Sequence, residues 1–328
     1  MQFVVRRLAF YVVAAWFAVT LNFLIPRAIP GNELDTLVAK AGPSMPPAGI
    51  EALKSRLGIG NQGSLLHQYF GYLGNLAHGN LGLSVAQYPE KVSTILGDTL
   101  PWTIGLVGAA TIVAFIVGTL LGILAGWRRG GRFDTMLPGF TFLQAMPYFF
   151  LAELLVLLLA NHWHIFPATG GQSLDVTPGL NWPFINSVLY HSWLPFFTIV
   201  ITSMAGWMLQ MRNVMITTIG EDYVLAAQAK GLKPRRIMLT YAARNAILPN
   251  IAGFALALGF VIAGAIVMEI VFSYPGVGYQ LYNAVTGYDI PTMEGIFLAI
   301  SGAVLVACLL ADVALVIADP RTRIRASY

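Results

Sequence analysis

The side chains that most often catalyse reactions or bind metals are few in this sequence, and they are not grouped as an enzyme needs. His162 and His164 flank Trp163, and two histidines at this spacing could hold a metal only with further ligands, which the neighbouring sequence does not offer. An aromatic cluster at a membrane surface explains these three residues better. The single cysteine, Cys308, lies in an apolar run, so we expect neither a disulfide nor a cysteine metal site.

Motifs that carry catalytic chemistry are also absent from the sequence. It contains no Gly-x-x-x-x-Gly-Lys phosphate loop, no Gly-x-Ser-x-Gly nucleophile elbow and no His-Glu-x-x-His helix. We therefore expect a chain that is not an enzyme, does not hydrolyse ATP and holds no cofactor or metal of its own.

Three carboxylates, Glu153, Glu269 and Asp312, lie inside or at the end of long apolar runs. Asp312 lies near the predicted cytoplasmic end of its run, where Arg321 or Arg323 could pair with it. A charge at the centre of a bilayer costs about 2.5–3.5 kcal/mol on insertion scales, so such a residue should face a cavity or another protein segment. Glu153 lies near the middle of its run and is a candidate for a solute path; the alternative is a paired or protonated residue at the contact with a second membrane subunit. Glu269 lies nearer one end, where it could line a gate or reach water.

Three methionines recur at helical spacing in another apolar run. Met204, Met208 and Met211, together with Trp207, would share one face of a helix. Flexible thioethers suit a path that passes solutes of varied shape, which makes the methionines path candidates. Packing in a protein core is the more common use of such a stripe.

The composition shows what kind of molecule must position these residues. The chain has 328 residues, of which 57% are hydrophobic and 10% are charged. Soluble domains carry about 25% charged residues, so the composition excludes an ordinary soluble protein and a disordered one. We expect an integral membrane protein embedded in a lipid bilayer. Its net charge of +4 is spread over short clusters, so nucleic acid is not an expected partner.

Six continuous apolar runs are each long enough to cross a bilayer as a helix, which needs about 20 residues. Continuous runs of this length do not suit barrel strands, so the predicted fold is an all-α polytopic membrane protein with six transmembrane helices. The first run is too long for the core of a cleaved signal and is expected to stay as an anchor. The approximate bounds are Leu8–Ile25, Trp102–Trp127, Met136–Asn161, Val188–Met211, Ile247–Phe272 and Gly295–Ile317.

The distribution of lysine and arginine predicts the orientation. They cluster at 6–7, 128–132, 212–244 and 321–325, which are the connections on one side of the six runs. Because short basic loops stay in the cytoplasm, both termini are expected to be cytoplasmic. We expect an anchor helix at 1–26, a small external segment at 27–98 with helical pieces near Ile50–Leu57 and Leu65–Leu76, a five-helix core at 99–318 and a cytoplasmic tail at 319–328.

The predicted cytoplasmic segment 212–246 contains signals for a short helix. Thr218 to Glu221 fits a capping box, which predicts a helix from about Glu221 to Lys230. Asp222 lies at the positive end of its dipole and Lys230 at the negative end. Gly231 can take the left-handed conformation that ends a helix, and Pro234 suits the first turn of a second one.

A helix of this length is marginal alone in water and must pack on something. Tyr223, Ala226, Ala227 and Leu232 give it an apolar surface of small residues, with Arg235 beside it. The spacing alone also allows an amphipathic connector that lies on lipid headgroups.

Several segments in order along the chain resemble one family. Ala227 to Leu232 (AQAKGL) and Ala243 to Pro249 (ARNAILP) are similar to the cytoplasmic signature of binding-protein-dependent ABC importer permeases, most of all the B-type subunit of the dipeptide/oligopeptide group. Glu269 to Gly278 (EIVFSYPGVG) and Asp319 to Arg321 resemble later motifs of the same group. The generic signature has a glutamate at the position of Leu225, a departure that the peptide-type variant shares.

The resemblance implies a type I ABC importer permease fold in a bacterial or archaeal plasma membrane. Its implied partners are a homologous second permease, two ATPase subunits that use ATP and Mg, and a substrate-binding protein on the external side. The helix at about 219–231 would be a coupling helix that docks on one ATPase. The implied docking residues are Glu221, Asp222, Tyr223, Ala226, Ala227, Lys230, Gly231, Leu232 and Arg235. The implied external gate residues are Glu269, Tyr274, Pro275, Gly276 and Gly278.

The substrate is the least determined part of this expectation. Di- and oligopeptides are expected first, and the resembling family also carries oligosaccharides and nickel. A standalone secondary transporter is the alternative of a different class, and it usually shows internal repeats, of which the sequence gives no convincing sign.

Overall fold

The computed structural model describes residues 2–30, 46–57, 63–264 and 266–318. This part of the chain is helices and their connections, with one isolated β-bridge between Leu83 and Lys91. The all-α prediction is therefore confirmed for the described residues. The predicted tail at 319–328 lies outside them.

The helices are numbered here in chain order. They are α1 (Gln2–Ala28), α2 (Pro47–Leu57), α3 (Leu65–Ala77), α4 (Val92–Trp127), α5 (Arg132–Ala145), α6 (Tyr148–His162), α7 (Trp182–Ile219), α8 (Asp222–Ala229), α9 (234–246), α10 (Leu248–Gly259), α11 (Val261–Gly264), α12 (Ile266–Val271), α13 (Val277–Thr286) and α14 (Ile290–Ala318). Three helices contain a π-helical stretch, at Ile104–Gly108 in α4, Val156–His162 in α6 and Ile237–Ala243 in α9. The helical pieces predicted near 50–57 and 65–76 are confirmed as α2 and α3.

Four described helices are long and apolar enough to cross a membrane. They are Ala9–Ala28, Val92–Trp127, Trp182–Ile219 and Ile290–Leu310. They correspond to the first, second, fourth and sixth predicted spans.

The third predicted span is not one straight helix. Thr135–Ala145 and Tyr148–His162 meet at a bend of 97°. Pro147 causes the break, because proline has no N–H to donate and disfavours helical backbone in the preceding residue. Met146 is accordingly extended, with φ −73° and ψ 127°. The expectation of a continuous helix over Met136–Asn161 was wrong.

The fifth predicted span, Ile247–Phe272, contains α10, α11 and α12. Helix α10 ends at Gly259, and residue 265, between α11 and α12, lies outside the described residues. None of these three helices reaches a spanning length alone. The described residues therefore contain four long apolar helices, or five spans if the bent pair counts as one.

The chain forms two compact units. One takes the described residues of Met1–Thr103 and Pro275–Leu305, and the other takes those of Ile104–Tyr274 and Val306–Tyr328. The predicted five-helix core therefore contributes to both units.

In the first unit, α3 packs on the C-terminal end of α1. Phe23 is fully buried, with its ring 5.3 Å from that of Tyr69 and 5.6 Å from that of Tyr72. Burial raises the pKa of Tyr72 to about 12, so its phenol stays neutral at physiological pH. Arg27 lies 3.7 Å from the centre of the Phe23 ring and pairs with Glu294 of α14. Helix α3 is thus attached to α1 and α14.

A buried carboxylate attaches residues 84–86 to the start of α14. Asp289 precedes α14 and is fully buried. It accepts hydrogen bonds from the Ser84 hydroxyl, from the backbone N–H groups of Val85 and Ala86 at 3.1 Å, and from the Thr292 hydroxyl at 2.8 Å. The N-terminus of α14 also favours this negative charge.

In the second unit, α4 and α7 lie almost backbone to backbone. Gly118, Gly122 and Gly126 recur every four residues on the face of α4 that meets α7. A β-carbon at Gly118 would lie 2.5 Å from the Met204 carbonyl oxygen, closer than real β-carbons approach. Only glycine at these positions permits the observed contact, and the same small-residue spacing brings membrane helices together generally.

Candidate functional site

The short helix α8 follows α7 almost without a break. Glu221 is the N-cap residue, with extended backbone at φ −72° and ψ 144°, and Asp222 lies in the first turn. The Glu221 side chain makes no capping hydrogen bond. Thr218 does not cap α8 either, because it still belongs to α7 and its hydroxyl donates to the Val214 carbonyl at 2.8 Å. The predicted capping box was wrong, although the predicted helix itself is present.

The end of α8 is a Schellman motif. Lys230 is the C-cap, and Gly231 has φ +69°, the left-handed conformation predicted for it. The Gly231 N–H donates to the Gln228 carbonyl at 2.9 Å and the Leu232 N–H to the Ala227 carbonyl at 3.4 Å. Pro234 then begins α9, as predicted. This motif sets the angle between α8 and α9.

One face of α8 is buried against its own chain. Val224 and Ala227 are buried and pack with Ile237 of α9. Three half-buried hydrophobic side chains surround them, namely Trp127, Leu232 and Tyr241. The helix is therefore seated on residues of its own chain.

The rest of the surface of α8 is open. Tyr223 is 39% exposed and Leu225 is 48% exposed, although both are largely apolar. The structure divides the predicted docking residues between the two faces: Ala227 is buried and Leu232 is half-buried in the seat. The other seven are exposed, and they are Glu221, Asp222, Tyr223, Ala226, Lys230, Gly231 and Arg235. The expectation that Ala227 and Leu232 face a partner is corrected accordingly.

A cavity of about 770 Å³ lies between α5 and α7. Ten residues line it: Leu137, Thr141, Gln144, Ser203, Gly206, Trp207, Leu209, Gln210, Arg212 and Asn213. Most of these side chains can form hydrogen bonds, which is unusual at the depth of an apolar span.

The predicted path residues do not line this cavity. Met208 and Met211 are fully buried between α7 and the glycines of α4, and Met204 is half-buried. Their stripe is a packing surface, so Met208 and Met211 are core residues, as the alternative interpretation held. Glu153 is exposed on α6 and makes no hydrogen bond or ion pair within the part of the chain that the structure describes.

The predicted external gate residues fall into two groups. Glu269 is fully buried on α12, which excludes the interpretation that it reaches water in this structure, and its carbonyl accepts from the Tyr274 N–H at 2.8 Å. The Tyr274 hydroxyl lies 3.0 Å from the Ser192 hydroxyl. Both residues belong to the second unit, whereas the three that follow, Pro275, Gly276 and Gly278, belong to the first.

Gly276 and Gly278 lie at the start of α13. Gly276 is its N-cap, with extended backbone, and Gly278 is buried in its first turn. The N–H of Val277 between them donates to the Thr103 hydroxyl at 2.8 Å. This start of α13 is therefore attached to α4 within the first unit.

The polar cavity residues were not anticipated from the sequence. Ser203, Gln210 and Asn213 share one face of α7, and Thr141 and Gln144 share one face of α5, since residues three, four, seven or ten apart lie together on a helix. Polar residues at helical spacing inside apolar runs are the signal that could have found them.

Comparisons with known proteins agree along nearly the whole chain. The family described as "Binding-protein-dependent transport system inner membrane component" matches residues 118–324. The di/tripeptide transport system permease protein DppB of Pseudomonas aeruginosa is 32% identical, covering 98% of this chain and 99% of that protein. The dipeptide transport system permease protein DppB of Escherichia coli K12 is 30% identical with the same coverage. The oligopeptide transport system permease protein AppB of Bacillus subtilis is 28% identical over 92% of each chain.

Proposed function

We propose a transport role from the premise that this chain belongs to the family of binding-protein-dependent transport system inner membrane components. The chain is a permease subunit of an ATP-driven importer, and its solute is a di- or oligopeptide. Relatives named for dipeptide, tripeptide and oligopeptide transport, matched over almost their full length, support this substrate class. The chain pairs with a homologous second permease, and a substrate-binding protein delivers the peptide from outside.

The proposed topology has six crossings in the plasma membrane of a bacterium or archaeon. The bent pair α5–α6 is the third crossing, and α10 to α12 together form the fifth. Residues 248–271 rise roughly 36 Å at 1.5 Å per residue, more than the hydrocarbon thickness of about 30 Å. The basic clusters support cytoplasmic termini and an external segment at 27–98.

The exposed face of α8 is the proposed docking surface for one of two ATPase subunits. The observation that carries this proposal is that α8 is held by Val224 and Ala227, while Tyr223 and Leu225, on either side of Val224, stay exposed. Exposed apolar side chains on a seated helix suit a partner groove, as amphipathic helices commonly dock. ATP and Mg bind to the ATPases and not to this chain.

Movement of α8 would be transmitted through α7. This helix is continuous from Trp182 to Ile219, so one rigid segment joins the wall of the cavity to the residue before the α8 turn. Arg129 adds a brace, because its guanidinium donates to the Ile216 carbonyl at 2.7 Å. When the ATPase pair closes, rotation of α8 would tilt this part of α7 and change access to the path.

Reconstitution tests the proposal and its alternatives together. The chain, the second permease, two ATPases and the binding protein are placed in proteoliposomes, and uptake of labelled dipeptides, oligosaccharides and nickel is measured with and without ATP. Uptake of peptide that requires both ATP and the binding protein is expected. Peptide uptake by the permease pair alone would instead indicate a standalone secondary transporter.

A further inference from the structure

The cavity between α5 and α7 has the size and position of a solute site. Its volume of about 770 Å³ lies within the roughly 300–1,000 Å³ typical of small-ligand pockets. Its α7 wall runs from Ser203 to Asn213, the part of that helix nearer α8. The cavity therefore adjoins the segment that would move when α8 moves.

The hydrogen-bonding groups of the cavity are unsatisfied within the chain. The side chains of Gln144, Gln210 and Asn213 make no hydrogen bond among the described residues, nor does the Ser203 hydroxyl. Thr141 differs, because its hydroxyl donates to the Leu137 carbonyl of its own helix at 3.0 Å. Gln144 and Gln210 lie inside the predicted apolar runs, where polar groups that lack partners cost free energy, and Asn213 lies two residues beyond the end of the fourth run. Three such amides collected on one cavity indicate an external hydrogen-bonding partner.

The chemistry of these groups favours the main chain of a peptide. A side-chain amide both donates and accepts, as a peptide bond does, and it recognises no particular side chain. Among the ten lining residues Arg212 carries the single formal charge, and no carboxylate, histidine or cysteine is present. The lining therefore suits an amide-rich solute and does not suit a divalent cation.

Apolar groups complete the wall. The Trp207 ring is held by Phe115, at 5.3 Å between ring centres, and by Phe254, at 6.5 Å. Together with Leu137 and Leu209 it gives a rigid apolar surface beside the amides. Such a surface accepts varied peptide side chains by contact, without selecting among them.

We propose that this cavity binds the main chain of the transported peptide, through the amides of Gln144, Gln210 and Asn213, during passage across the membrane. This site deepens the proposed function and rests on it. It explains how a path can accept many peptides: the groups that bind are complementary to what all peptides share.

The test uses the complete importer in proteoliposomes with labelled trialanine. The double variant Gln144→Leu with Gln210→Leu replaces two amide side chains with apolar side chains of similar volume. Thr202→Val is the matched control, because Thr202 adjoins the cavity residue Ser203, is not itself a lining residue and donates only to its own helix. We expect trialanine uptake by the double variant to fall about tenfold, the loss of about 1.4 kcal/mol of binding, while ATP hydrolysis stimulated by the binding protein stays within twofold. The control should transport normally.

A second measurement keeps the proposal testable if the double variant assembles poorly. A photoreactive benzoylphenylalanine replaces Leu209 in the cavity or, as a control, Leu189, which is exposed on the same helix outside it. Capture of trialanine at position 209 and not at 189 during ATP turnover supports the site. Capture of only the second permease at position 209 overturns it, because the cavity would then be a subunit interface.

The outcomes also separate this site from the proposed function. Normal uptake by a well-assembled double variant overturns the cavity assignment and leaves the importer role intact. Absence of ATP-dependent peptide uptake by the unsubstituted importer overturns both.

Discussion

The backbone of Gly122 in α4 passes so close to Met208 in α7 that a β-carbon at position 122 would lie 2.6 Å from the Met208 carbonyl oxygen. The same β-carbon would also lie 2.6 Å from the β-carbon of Met211. Because backbone atoms cannot yield as a flexible side chain can, any larger residue must separate the two helices. This contact holds α7 against α4. We propose that α7 transmits the movement of α8.

Gly122→Ala should therefore destabilise the chain by about 1–3 kcal/mol, as overpacking typically does. Thermal unfolding of the purified permease pair in detergent measures the change. Gly97→Ala is the control on the same helix, where a β-carbon meets nothing within 4 Å. That control should be neutral or slightly stabilising, since alanine is the better helix former. Equal unfolding temperatures for the two variants would contradict the close packing.

Gly231→Pro should uncouple ATP hydrolysis from uptake. Proline fixes φ near −65°, whereas Gly231 has φ +69°, and proline also lacks the N–H that donates to Gln228. We expect uptake to fall about tenfold or more, because proline cannot adopt φ +69° and the turn that sets the angle between α8 and α9 must change. Uptake and ATP hydrolysis are measured together in proteoliposomes.

Gly231→Asn is the matched variant for this turn. Asparagine tolerates the left-handed conformation, and a β-carbon at this position meets nothing within 4 Å. We expect uptake within about twofold of the unsubstituted protein. If Asn and Pro impaired uptake alike, the angle of the turn would not be the property that matters.

Ala226→Trp and Ala227→Trp form an adjacent pair on opposite faces of α8. Ala226 is exposed, so its replacement should weaken co-purification of the ATPases without changing the unfolding temperature of the permease pair. Ala227 is buried against Val224 and Ile237, so its replacement should destabilise the permease pair by about 1–3 kcal/mol and lower its unfolding temperature. Loss of ATPase binding by Ala227→Trp with unchanged stability would show that the two faces have been assigned the wrong way round.

Asp289→Asn should loosen the external segment. The amide puts an N–H group where a carboxylate oxygen accepts from Ser84 and from backbone N–H groups, which costs about 1.5–3 kcal/mol. Limited proteolysis of the external segment, together with thermal unfolding, reports the change. Asp98→Asn, at an exposed side chain of α4, should leave both measurements unchanged. Resistance to protease equal to that of the Asp98 variant would refute the clamp.

Local chemistry predicted the parts of α8 that depend on neighbouring residues. Gly231 and Pro234 act through their own backbone geometry, which needs no distant contact. Gly231 ends α8 and Pro234 begins α9, as the sequence predicted. The capping box failed because Thr218 had a competing acceptor in α7, the Val214 carbonyl. The length of α7 decides whether Thr218 belongs to its last turn or caps α8. Apolar periodicity does not define that length to within a turn.

Periodicity predicted faces but not what the faces contact. Met204, Met208 and Met211 do share a side of α7, yet the partner of that side is a glycine stripe in a helix about 90 residues earlier. The faces of α8 were ambiguous for the same reason: Ala226 and Ala227 are identical in type and differ only in what packs against them. The family itself was recognisable because its motifs occur in order over nearly the whole chain.

The most direct test of the coupling role is a cross-link between α8 and an ATPase in the assembled importer. With Cys308 replaced by serine, a single cysteine at Ala226 is paired with cysteines along the groove of the ATPase, and a cysteine at Ala229, also exposed on α8, is tested in parallel. We expect rapid disulfide formation from position 226 that changes in rate when ATP binds. If positions 226 and 229 formed no cross-link to either ATPase, and a map of the same assembly showed residues 221–231 against lipid or solvent alone, the proposed coupling role would be contradicted.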